Sequence, residues 1–335
     1  MKAVAYANCL PIEADQSLLD VSLPEPVASG HDLLVEVRAV SVNPVDTKVR
    51  RGMAPPSGEQ RVLGWDAAGI VRAVGESVSL FKPGDRVWYA GALNRPGSNS
   101  ELQLVDERIV GRMPASLDFA HAAALPLTAI TAWEMLFDRL QVTRQQSGDA
   151  ILIIGAAGGV GSILTQLARK LTGLTVVGTA SRPATQQWVG ELGAHHVIDH
   201  SQALVPQFKQ LGIDNVRYVA SLTHTDQHLA QVVELIAPQG RLSLIDDPAT
   251  LDILPFKRKS VSVHWELMFT RSLFATPDMV AQHHLLNEVA QLVDAGVLQT
   301  TFAEHFGTIN AANLKRAHAL LESGKARGKI VLEGF

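Results

Sequence analysis

The ten residues from Leu152 to Gly161 read LIIGAAGGVG, an apolar run that passes directly into a glycine-rich turn. The apolar residues predict a buried β-strand, and the amphipathic segment after the turn predicts a helix over residues 160–171. Ala156, Gly158 and Gly161 fill the G-x-G-x-x-G/A spacing, with alanine in the first place. A strand, a tight turn and a helix in this order are typical of the phosphate-binding turn of a dinucleotide-binding fold.

This turn predicts how a dinucleotide is held. Gly158 would let the backbone approach a pyrophosphate, and Gly161 would let the helix pack closely on its strand. The phosphates would lie at the helix N-terminus, where N–H groups without intrahelical partners and the helix dipole favour an anion. The candidate cofactor-binding residues of the turn are Ala156, Gly158, Gly159, Val160 and Gly161.

The choice of cofactor depends on the end of the second strand, about 20 residues further along. An NAD site places Asp or Glu there, whereas no acidic residue occurs between Leu174 and Glu191. Ser181 and Arg182 lie in this segment, and a hydroxyl with a guanidinium suits a ribose 2′-phosphate. The sequence therefore predicts NADPH; the alternative is that Arg182 is a solvated side chain in an exposed loop.

The organisation of the chain changes near residue 120. Before it, short strands occur between turn signals such as Lys82-Pro83-Gly84-Asp85, which is typical of a small β-barrel or sandwich. After it, strands and helices alternate, and this alternation predicts a doubly wound parallel sheet. The β-rich runs are 150–154, 175–179, 196–198, 218–221 and 241–245, with helical segments such as 160–171 and 184–192 between them.

Composition excludes several classes of protein. The length of 335 residues suffices for roughly two globular domains. With 47% apolar and 19% charged residues, the composition is not that of a disordered chain. A net charge of −4 and 5% aromatic residues give no reason to expect nucleic-acid binding. No apolar run approaches the roughly 18 residues of a membrane span, so we expect a cytoplasmic protein without a membrane partner. The single cysteine, Cys9, excludes a disulfide framework and a multi-cysteine zinc site.

Three further segments resemble the medium-chain dehydrogenase/reductase superfamily. Residues 82–87 (KPGDRV) are similar to its K-P-G-D-x-V segment, and residues 63–69 (LGWDAAG) stand where zinc alcohol dehydrogenases have G-H-E-x-x-G. Residues 324–332 (GKARGKIVL) resemble its C-terminal signature. The resemblance implies an α/β fold, with a Rossmann doubly wound parallel sheet and a GroES-like, β-rich catalytic domain.

The resemblance also implies the domain bounds. The GroES-like catalytic domain would comprise residues 1–124, completed by 271–335, and the Rossmann domain residues 125–270. The family further implies a substrate cleft between the two domains and a homodimer that joins two Rossmann sheets edge to edge near residues 260–264. Closing an exposed sheet edge is a physical reason to dimerise.

The positions that differ from zinc-dependent members indicate a branch of the family. Catalytic zinc takes about three protein ligands, and the corresponding positions here are Asn43, Trp65 and the neighbourhood of Leu127. The chain therefore resembles the zinc-independent, quinone-oxidoreductase-like branch, in its "zinc-type alcohol dehydrogenase-like" subgroup. His224 and His228 have an i, i+4 spacing but lack the glutamate of H-E-x-x-H. We expect no metal ion.

Three residues are candidates for catalysis. The amide of Asn43 would donate to a carbonyl or quinone oxygen, Asp46 would orient ribose or substrate, and Trp65 would form an apolar wall. Each has a structural alternative: Asn43 shapes the Asn-Pro turn, Asp46 caps or forms a local ion pair, and Trp65 packs in the core.

Four more residues complete the candidate cofactor site. Thr128 and Thr131 fall where the family contacts the nicotinamide, although both are also ordinary helix residues. Leu222 and Ile245 lie at the ends of Rossmann strands, where ligands bind in such sheets.

These residues predict an NADPH-dependent, zinc-independent oxidoreductase. Without a Lewis acid, the easiest chemistry is hydride transfer to an electron-poor acceptor, a quinone or an α,β-unsaturated carbonyl. Two alternatives remain at this point: a metal-free reductase of small aldehydes or ketones, and an NADPH-binding redox sensor with little turnover.

Overall fold

The structure, a computed structural model, describes residues 1–335 and contains sixteen β-strands. In chain order they are β1 (Lys2–Tyr6), β2 (Leu19–Ser22), β3 (Asp32–Ser41), β4 (Arg61–Val62), β5 (Ala67–Val74), β6 (Arg86–Tyr89), β7 (Leu102–Asp106), β8 (Val110–Arg112), β9 (Ser147–Ile154), β10 (Gly173–Thr179), β11 (His196–Ile198), β12 (Val216–Ser221), β13 (Ile236–Leu244), β14 (Ser262–Trp265), β15 (Phe302–His305) and β16 (Lys329–Glu333).

Ten α-helices connect or cover these strands. They are α1 (Pro44–Gly52), α2 (Phe119–Ala123), α3 (Pro126–Trp133), α4 (Gly159–Leu171), α5 (Pro183–Glu191), α6 (Leu204–Gln210), α7 (Thr225–Leu235), α8 (Thr270–Leu273), α9 (Ala281–Asp294) and α10 (Ala311–Glu322). Short 3₁₀ helices occur at Glu107–Ile109 and Leu254–Lys259, and a π-helical turn, Glu134–Arg139, follows α3. None of the helices combines the length and the apolar character that a bilayer crossing demands.

The chain divides into two units. The first unit comprises Met1–Ile130 and Phe269–Phe335, and the second comprises Thr131–Met268. The first boundary lies six residues beyond the expected one, because Leu127 N donates to the buried carboxylate of Asp66 and so ties the start of α3 to the first unit. The second boundary lies two residues earlier than expected, since the ring of Phe269 packs edge-on against Trp65.

The second unit is built on a six-stranded parallel sheet of order β11-β10-β9-β12-β13-β14. Counted from β9, this is the 3-2-1-4-5-6 order of a Rossmann fold, in which the order reverses between β9 and β12. Leu204, Phe208, Val232 and Leu235 of α6 and α7 pack on one face of the sheet with strand residues such as Leu152. The predicted doubly wound sheet is confirmed.

The first unit is the GroES-like, β-rich part of the chain. Its larger sheet has the order β15-β16-β3-β5-β6-β8, with β7 also paired to β3, and a smaller antiparallel sheet has the order β2-β1-β4. Strand β16 runs antiparallel to β3 with Val331 opposite Ser41. This register brings Lys329, at the start of β16, beside Val42 and Asn43 at the start of α1.

Candidate functional site

The glycine-rich turn of the second unit is built around Gly155. Its φ of +82° is a left-handed conformation that favours glycine, and an added Cβ would lie 3.0 Å from Thr223 Cγ2. Gly155 N donates to Thr179 Oγ1 at 3.0 Å, and Ala156 N donates to Thr179 O at 3.2 Å. The turn that leaves β9 is therefore fixed to the end of β10. Matching the motif at Ala156, Gly158 and Gly161 missed this residue, although a glycine directly after an apolar strand was a visible signal.

Gly158 and Gly161 differ in what surrounds them. A Cβ on Gly161 would lie 2.5 Å from both Ala156 Cα and Gly155 O, so the close packing expected there is observed. A Cβ on Gly158 would meet only Gly155 O, at the ordinary distance of 3.6 Å. The backbone at Gly158, the N-cap residue of α4, is thus open to close approach, and contact with a pyrophosphate there stays a prediction. Gly159 and Val160 form the first turn of α4, where backbone N–H groups lack intrahelical partners.

The end of β10 carries the residues expected near the ribose. Ser181 is half-buried, and Arg182 is exposed at the N-cap position of α5. No carboxylate stands in this segment, so it keeps the chemistry that suits a 2′-phosphate.

Two histidines that the sequence did not single out for this site lie close to it. His200 Nδ1 is 3.1 Å from Thr179 Oγ1, and the rings of His200 and His228 are 6.2 Å apart. Burial lowers the pKa of His200, and the charges of His224 and Arg182 lower it further, while Asp199 opposes them. Burial lowers the pKa of His228 as well, so both rings are mainly neutral near pH 7 and offer hydrogen bonds rather than fixed charge. The sequence pairs His228 with His224 by spacing, and only the tertiary structure brings it beside His200.

Leu222 and Ile245 lie at the carboxyl edge of the sheet, as expected. Leu222 N donates to Ile154 O at 3.1 Å and Ile245 N to Ser221 O at 3.3 Å, so both residues extend the ladders of their strands. Ligands bind at this edge in doubly wound sheets.

Both candidate threonines lie on α3 and are buried. Thr128 Oγ1 donates to Leu125 O at 3.0 Å, which is the behaviour of an ordinary helix residue. Contact of Thr128 and Thr131 with a nicotinamide stays a prediction.

In the first unit, Asp46 closes the start of α1. Its Oδ2 accepts a hydrogen bond of 2.7 Å from Asn43 N, so the capping alternative describes the observed contact. The carboxyl group is fully buried, and its Oδ1 has no hydrogen-bond partner. Burial raises the pKa of Asp46 to about 7, against the opposing effects of the Asn43 N–H and the charge of Lys329. Its orientation of ribose or substrate stays a prediction.

Asn43 belongs to a buried polar network with Asp66 and Lys329. Asn43 Nδ2 donates to Asp66 Oδ2 at 2.9 Å and to Trp65 O at 3.2 Å, while Asn43 Oδ1 accepts from the ammonium of Lys329. Lys329 Nζ also lies 2.9 Å from Asp66 Oδ2 and donates to Val42 O at 2.9 Å. Burial raises the pKa of Asp66, and the Lys329 charge opposes that rise.

This network bears on the expected role of Asn43. Both amide hydrogens have acceptors within the protein, so donation to a substrate oxygen requires one of these hydrogen bonds to break. The role as a substrate donor stays a prediction. The sequence assigns no role to Asp66 or Lys329. The lone charge of Asp66 inside an apolar run is a signal of a buried partner, whereas Lys329 follows two other basic residues and gives no such signal.

Trp65 is fully buried. Its indole N–H donates to Ala92 O at 3.2 Å, and its ring meets Phe269 edge-on with centroids 6.2 Å apart. Packing, the alternative interpretation, describes these contacts, and a role as the wall of a substrate pocket stays a prediction.

The donor set at the zinc-ligand positions does not fit zinc. Asn43, Trp65 and Leu127 present an amide, an indole and an alkyl chain, and the amide oxygen of Asn43 is already bonded to the Lys329 ammonium. The chain contains no group of three or more His, Cys, Asp or Glu side chains arranged to hold a metal ion.

Two family models match parts of this chain. Residues 29–115 match the family "alcohol dehydrogenase GroES-like domain", and residues 192–332 match "zinc-binding dehydrogenase". A zinc-type alcohol dehydrogenase-like protein of Staphylococcus aureus (strain MRSA252) is 40% identical over 336 residues, covering 99% of each chain. Human quinone oxidoreductase is 31% identical over 242 residues, 70% of each chain.

Solved structures extend the comparison. A protein of Rhizobium etli CFN 42, provisionally described as a zinc-dependent alcohol dehydrogenase, has a TM-score of 0.97 and 61% identity over 100% of this chain and 98% of its own. Escherichia coli quinone oxidoreductase, solved in complex with NADPH, has a TM-score of 0.84 and 26% identity over 99% of this chain and 100% of its own.

The fold and the site thus define an oxidoreductase with a dinucleotide-type turn. The chain belongs to the medium-chain dehydrogenase/reductase superfamily, in the zinc-type alcohol dehydrogenase-like subgroup of its quinone-oxidoreductase-like branch. The word "zinc" in those names describes the relatives. The residues at the corresponding positions of this chain do not form a zinc-binding donor set.

Proposed function

We propose that this protein is an NADPH-dependent, zinc-independent reductase that transfers hydride to a quinone or an α,β-unsaturated carbonyl. One observation carries the proposal: the positions of zinc ligands hold Asn43, Trp65 and Leu127, and the Lys329–Asp66 ion pair is bonded to Asn43. A simple carbonyl loses its main polarising group at such a site. Acceptors that are already electron-poor depend least on such polarisation.

The second unit supports NADPH as the cofactor. Gly158, Gly159, Val160 and the other turn residues would hold the pyrophosphate at the start of α4. Ser181 and Arg182 would hold the 2′-phosphate at the end of β10. NADPH supplies the hydride when bound, and the protein supplies position. The NADPH complex of the Escherichia coli quinone oxidoreductase is consistent with this choice.

The first test is NADPH oxidation with a panel of quinones, enones and simple aldehydes after exhaustive chelation. We expect turnover with quinones or enones that is unchanged by the chelator and by zinc added back. A zinc-dependent alcohol dehydrogenase treated in parallel confirms that chelation is complete.

Other outcomes would overturn the proposal in distinguishable ways. Aldehyde reduction that is lost on chelation and restored by zinc would show a zinc enzyme. Aldehyde reduction that survives chelation, without quinone or enone turnover, would favour the metal-free carbonyl reductase. Tight NADPH binding without turnover on any acceptor would favour the redox sensor.

A further inference from the structure

The register of strands β10 and β11 brings a histidine to the edge of the sheet where the ribose is expected. The two strands run parallel, with Thr179 opposite Ile198. Ser181 lies two residues beyond Thr179 and His200 two residues beyond Ile198, so both belong to the carboxyl edge, where ligands bind in doubly wound sheets. The ring of His200 returns to the end of β10, because its Nδ1 is 3.1 Å from Thr179 Oγ1. The imidazole is thus a neighbour of the segment proposed to hold the 2′-phosphate.

The hydroxyl of Thr179 joins this imidazole to the phosphate-binding turn. Thr179 is fully buried, and its Oγ1 accepts a hydrogen bond of 3.0 Å from Gly155 N in that turn. A hydroxyl donates to an unprotonated Nδ1 or accepts from Nδ1–H, so the contact with His200 is compatible with the neutral and the protonated ring. Nε2, on the other side of the half-buried ring, has no hydrogen bond within the protein. The ring is therefore held in position and is still able to change its charge.

The groups around His200 favour its neutral form while no anion is bound. His228, which is 8% exposed, meets the ring edge-on, with centroids 6.2 Å apart. Burial lowers the pKa of His200, and the Asp199 carboxylate opposes this effect. The charges of His224 and Arg182 lower the same pKa further. Because the Arg182 guanidinium stays charged, a negative group bound at this edge is what would change the balance at the neighbouring imidazole.

A phosphate dianion close to an imidazole stabilises the protonated ring, and by linkage the protonated ring strengthens binding of the dianion by the same factor. We propose that His200 is a specificity residue that takes up one proton from solvent when the 2′-phosphate of NADPH binds, and so strengthens the preference for NADPH over NADH as the pH falls. The imidazolium has one N–H that donates to Thr179 and a second, at Nε2, that is free to donate to the phosphate. This role rests on the proposed function, in which Ser181 and Arg182 hold the same phosphate.

NADH provides an internal comparison. Its ribose has a hydroxyl where NADPH has the 2′-phosphate, so its binding brings no charge to the ring of His200. A pH dependence that arises elsewhere in the protein is common to both cofactors and cancels in the ratio of their dissociation constants. The phosphate itself is protonated below about pH 6. That ionisation acts in the opposite direction, since a cationic site binds the dianion best, and it is the same in every variant.

The first test counts the protons that are taken up when the cofactor binds. Isothermal titration calorimetry at about pH 7, in two buffers of different ionisation enthalpy, gives the net proton uptake with NADPH and with NADH. We expect wild type to take up a measurable fraction of one proton with NADPH and none with NADH. His200→Asn should lose this uptake, because the amide keeps a hydrogen-bonding group near the position of Nδ1 but does not titrate. His196→Asn, at a half-buried histidine of β11, should behave as wild type does.

The second test follows the affinities. The dissociation constants of NADPH and NADH are measured by cofactor fluorescence from about pH 6.5 to about pH 8.5, above the second ionisation of the phosphate. A ring whose pKa is raised in the complex stabilises that complex below the raised pKa, and the effect is lost as the pH rises through it. The ratio of the NADH constant to the NADPH constant should therefore increase by about 5-fold or more as the pH falls across this range in wild type. In His200→Asn the ratio should stay nearly flat.

Several outcomes would overturn the role of His200. Wild type that takes up no protons with NADPH would do so, as would uptake that persists in His200→Asn, because another group would then carry the proton. His200→Gln replaces His200→Asn if the latter does not fold. A preference for NADPH that does not change with pH would overturn this role alone. Equal affinities for NADPH and NADH at every pH would overturn the cofactor choice of the proposed function as well, and neither measurement requires turnover.

Discussion

Lys329 places an ammonium group beside the positions that hold zinc in related dehydrogenases. It bonds to Asn43 Oδ1 and Val42 O and pairs with Asp66, all within the buried interior of the first unit. Breaking such a pair from one side leaves an uncompensated charge, which costs about 3–5 kcal/mol, whereas replacing both charges is often nearly neutral. The network is therefore sensitive to the loss of one partner rather than to the loss of the pair.

This asymmetry gives a prediction for the free energy of unfolding. Lys329→Met should lower it by about 3–5 kcal/mol, because the Asp66 carboxylate stays buried without its cation. The double variant Asp66→Asn with Lys329→Met should recover much of that loss. Urea denaturation measures all three proteins. Lys325→Met, a substitution of an exposed lysine four residues earlier, is the control and should be nearly neutral. Equal losses in the single and double variants would contradict a charge-based role.

Arg182 carries the prediction of cofactor choice. Arg182→Glu should remove a charge-assisted hydrogen bond to the 2′-phosphate, worth about 1.5–3 kcal/mol, and add repulsion. We expect the dissociation constant of NADPH to rise by about 10- to 100-fold or more. The preference for NADPH over NADH should fall as a result. Titration of cofactor fluorescence measures both constants. Lys170→Glu, the same charge reversal at the far end of α4, should change neither. An unchanged NADPH constant in Arg182→Glu would refute the assigned site.

At the scale of single residues, the sequence predicts the chemical character of a segment better than it predicts which side chains are in contact. The absence of an acid between Leu174 and Glu191 was readable directly, because it depends on local order alone. The contact between Asn43 and Lys329 joins residues 286 positions apart, and no local pattern encodes such a pair. The family segments drew attention to both ends of the network, but only the register of β16 on β3 shows that they meet.

At the scale of elements, strand β9, the glycine-rich turn and helix α4 follow one another directly, and Gly158 and Gly161 have separate functions in this segment. Gly161→Ala should destabilise the second unit by about 1–3 kcal/mol, the usual cost of overpacking, because its Cβ would lie 2.5 Å from backbone atoms. Gly158→Ala should leave the thermal midpoint nearly unchanged, since its φ of −73° suits alanine and its Cβ makes one ordinary contact.

The same pair of variants tests the cofactor site. Gly158→Ala should weaken NADPH binding by about 5- to 150-fold, because the methyl group would occupy the approach of the pyrophosphate. This range corresponds to a steric cost of about 1–3 kcal/mol. Differential scanning fluorimetry and NADPH titration separate the two effects. Tight NADPH binding by Gly158→Ala would show that the phosphates lie elsewhere.

The elements themselves were largely predictable. The expected strand 196–198 and helix 160–171 agree with β11 and α4 to within one residue, because their apolar patterns are clear. The π-helical turn is the exception: α3 ends at Trp133, and Glu134–Arg139 continue it with a different hydrogen-bond register. A π-turn keeps helical composition and differs only in its hydrogen-bond register, so the sequence pattern did not show it.

At the scale of the whole molecule, the six-stranded sheet has two edge strands, β11 and β14. Strand β14 is paired only with β13 and ends the sheet order, in agreement with the edge expected near residues 260–264. Trp265, its last residue, is 56% exposed. Because exposed strand edges and large apolar side chains favour pairing with another chain, we propose that two copies join through β14 as a homodimer.

Trp265→Glu tests this assembly. A charge at the centre of an apolar contact between identical copies would appear twice across a two-fold axis, so repulsion adds to the lost apolar area. We expect wild type to sediment as a dimer and Trp265→Glu to shift towards monomer in analytical ultracentrifugation over a range of concentrations. Val27→Glu, at an exposed apolar residue of the first unit, should sediment as wild type does. A monomeric wild type, or a dimer unaffected by Trp265→Glu, would show that the open edge of β14 has another use.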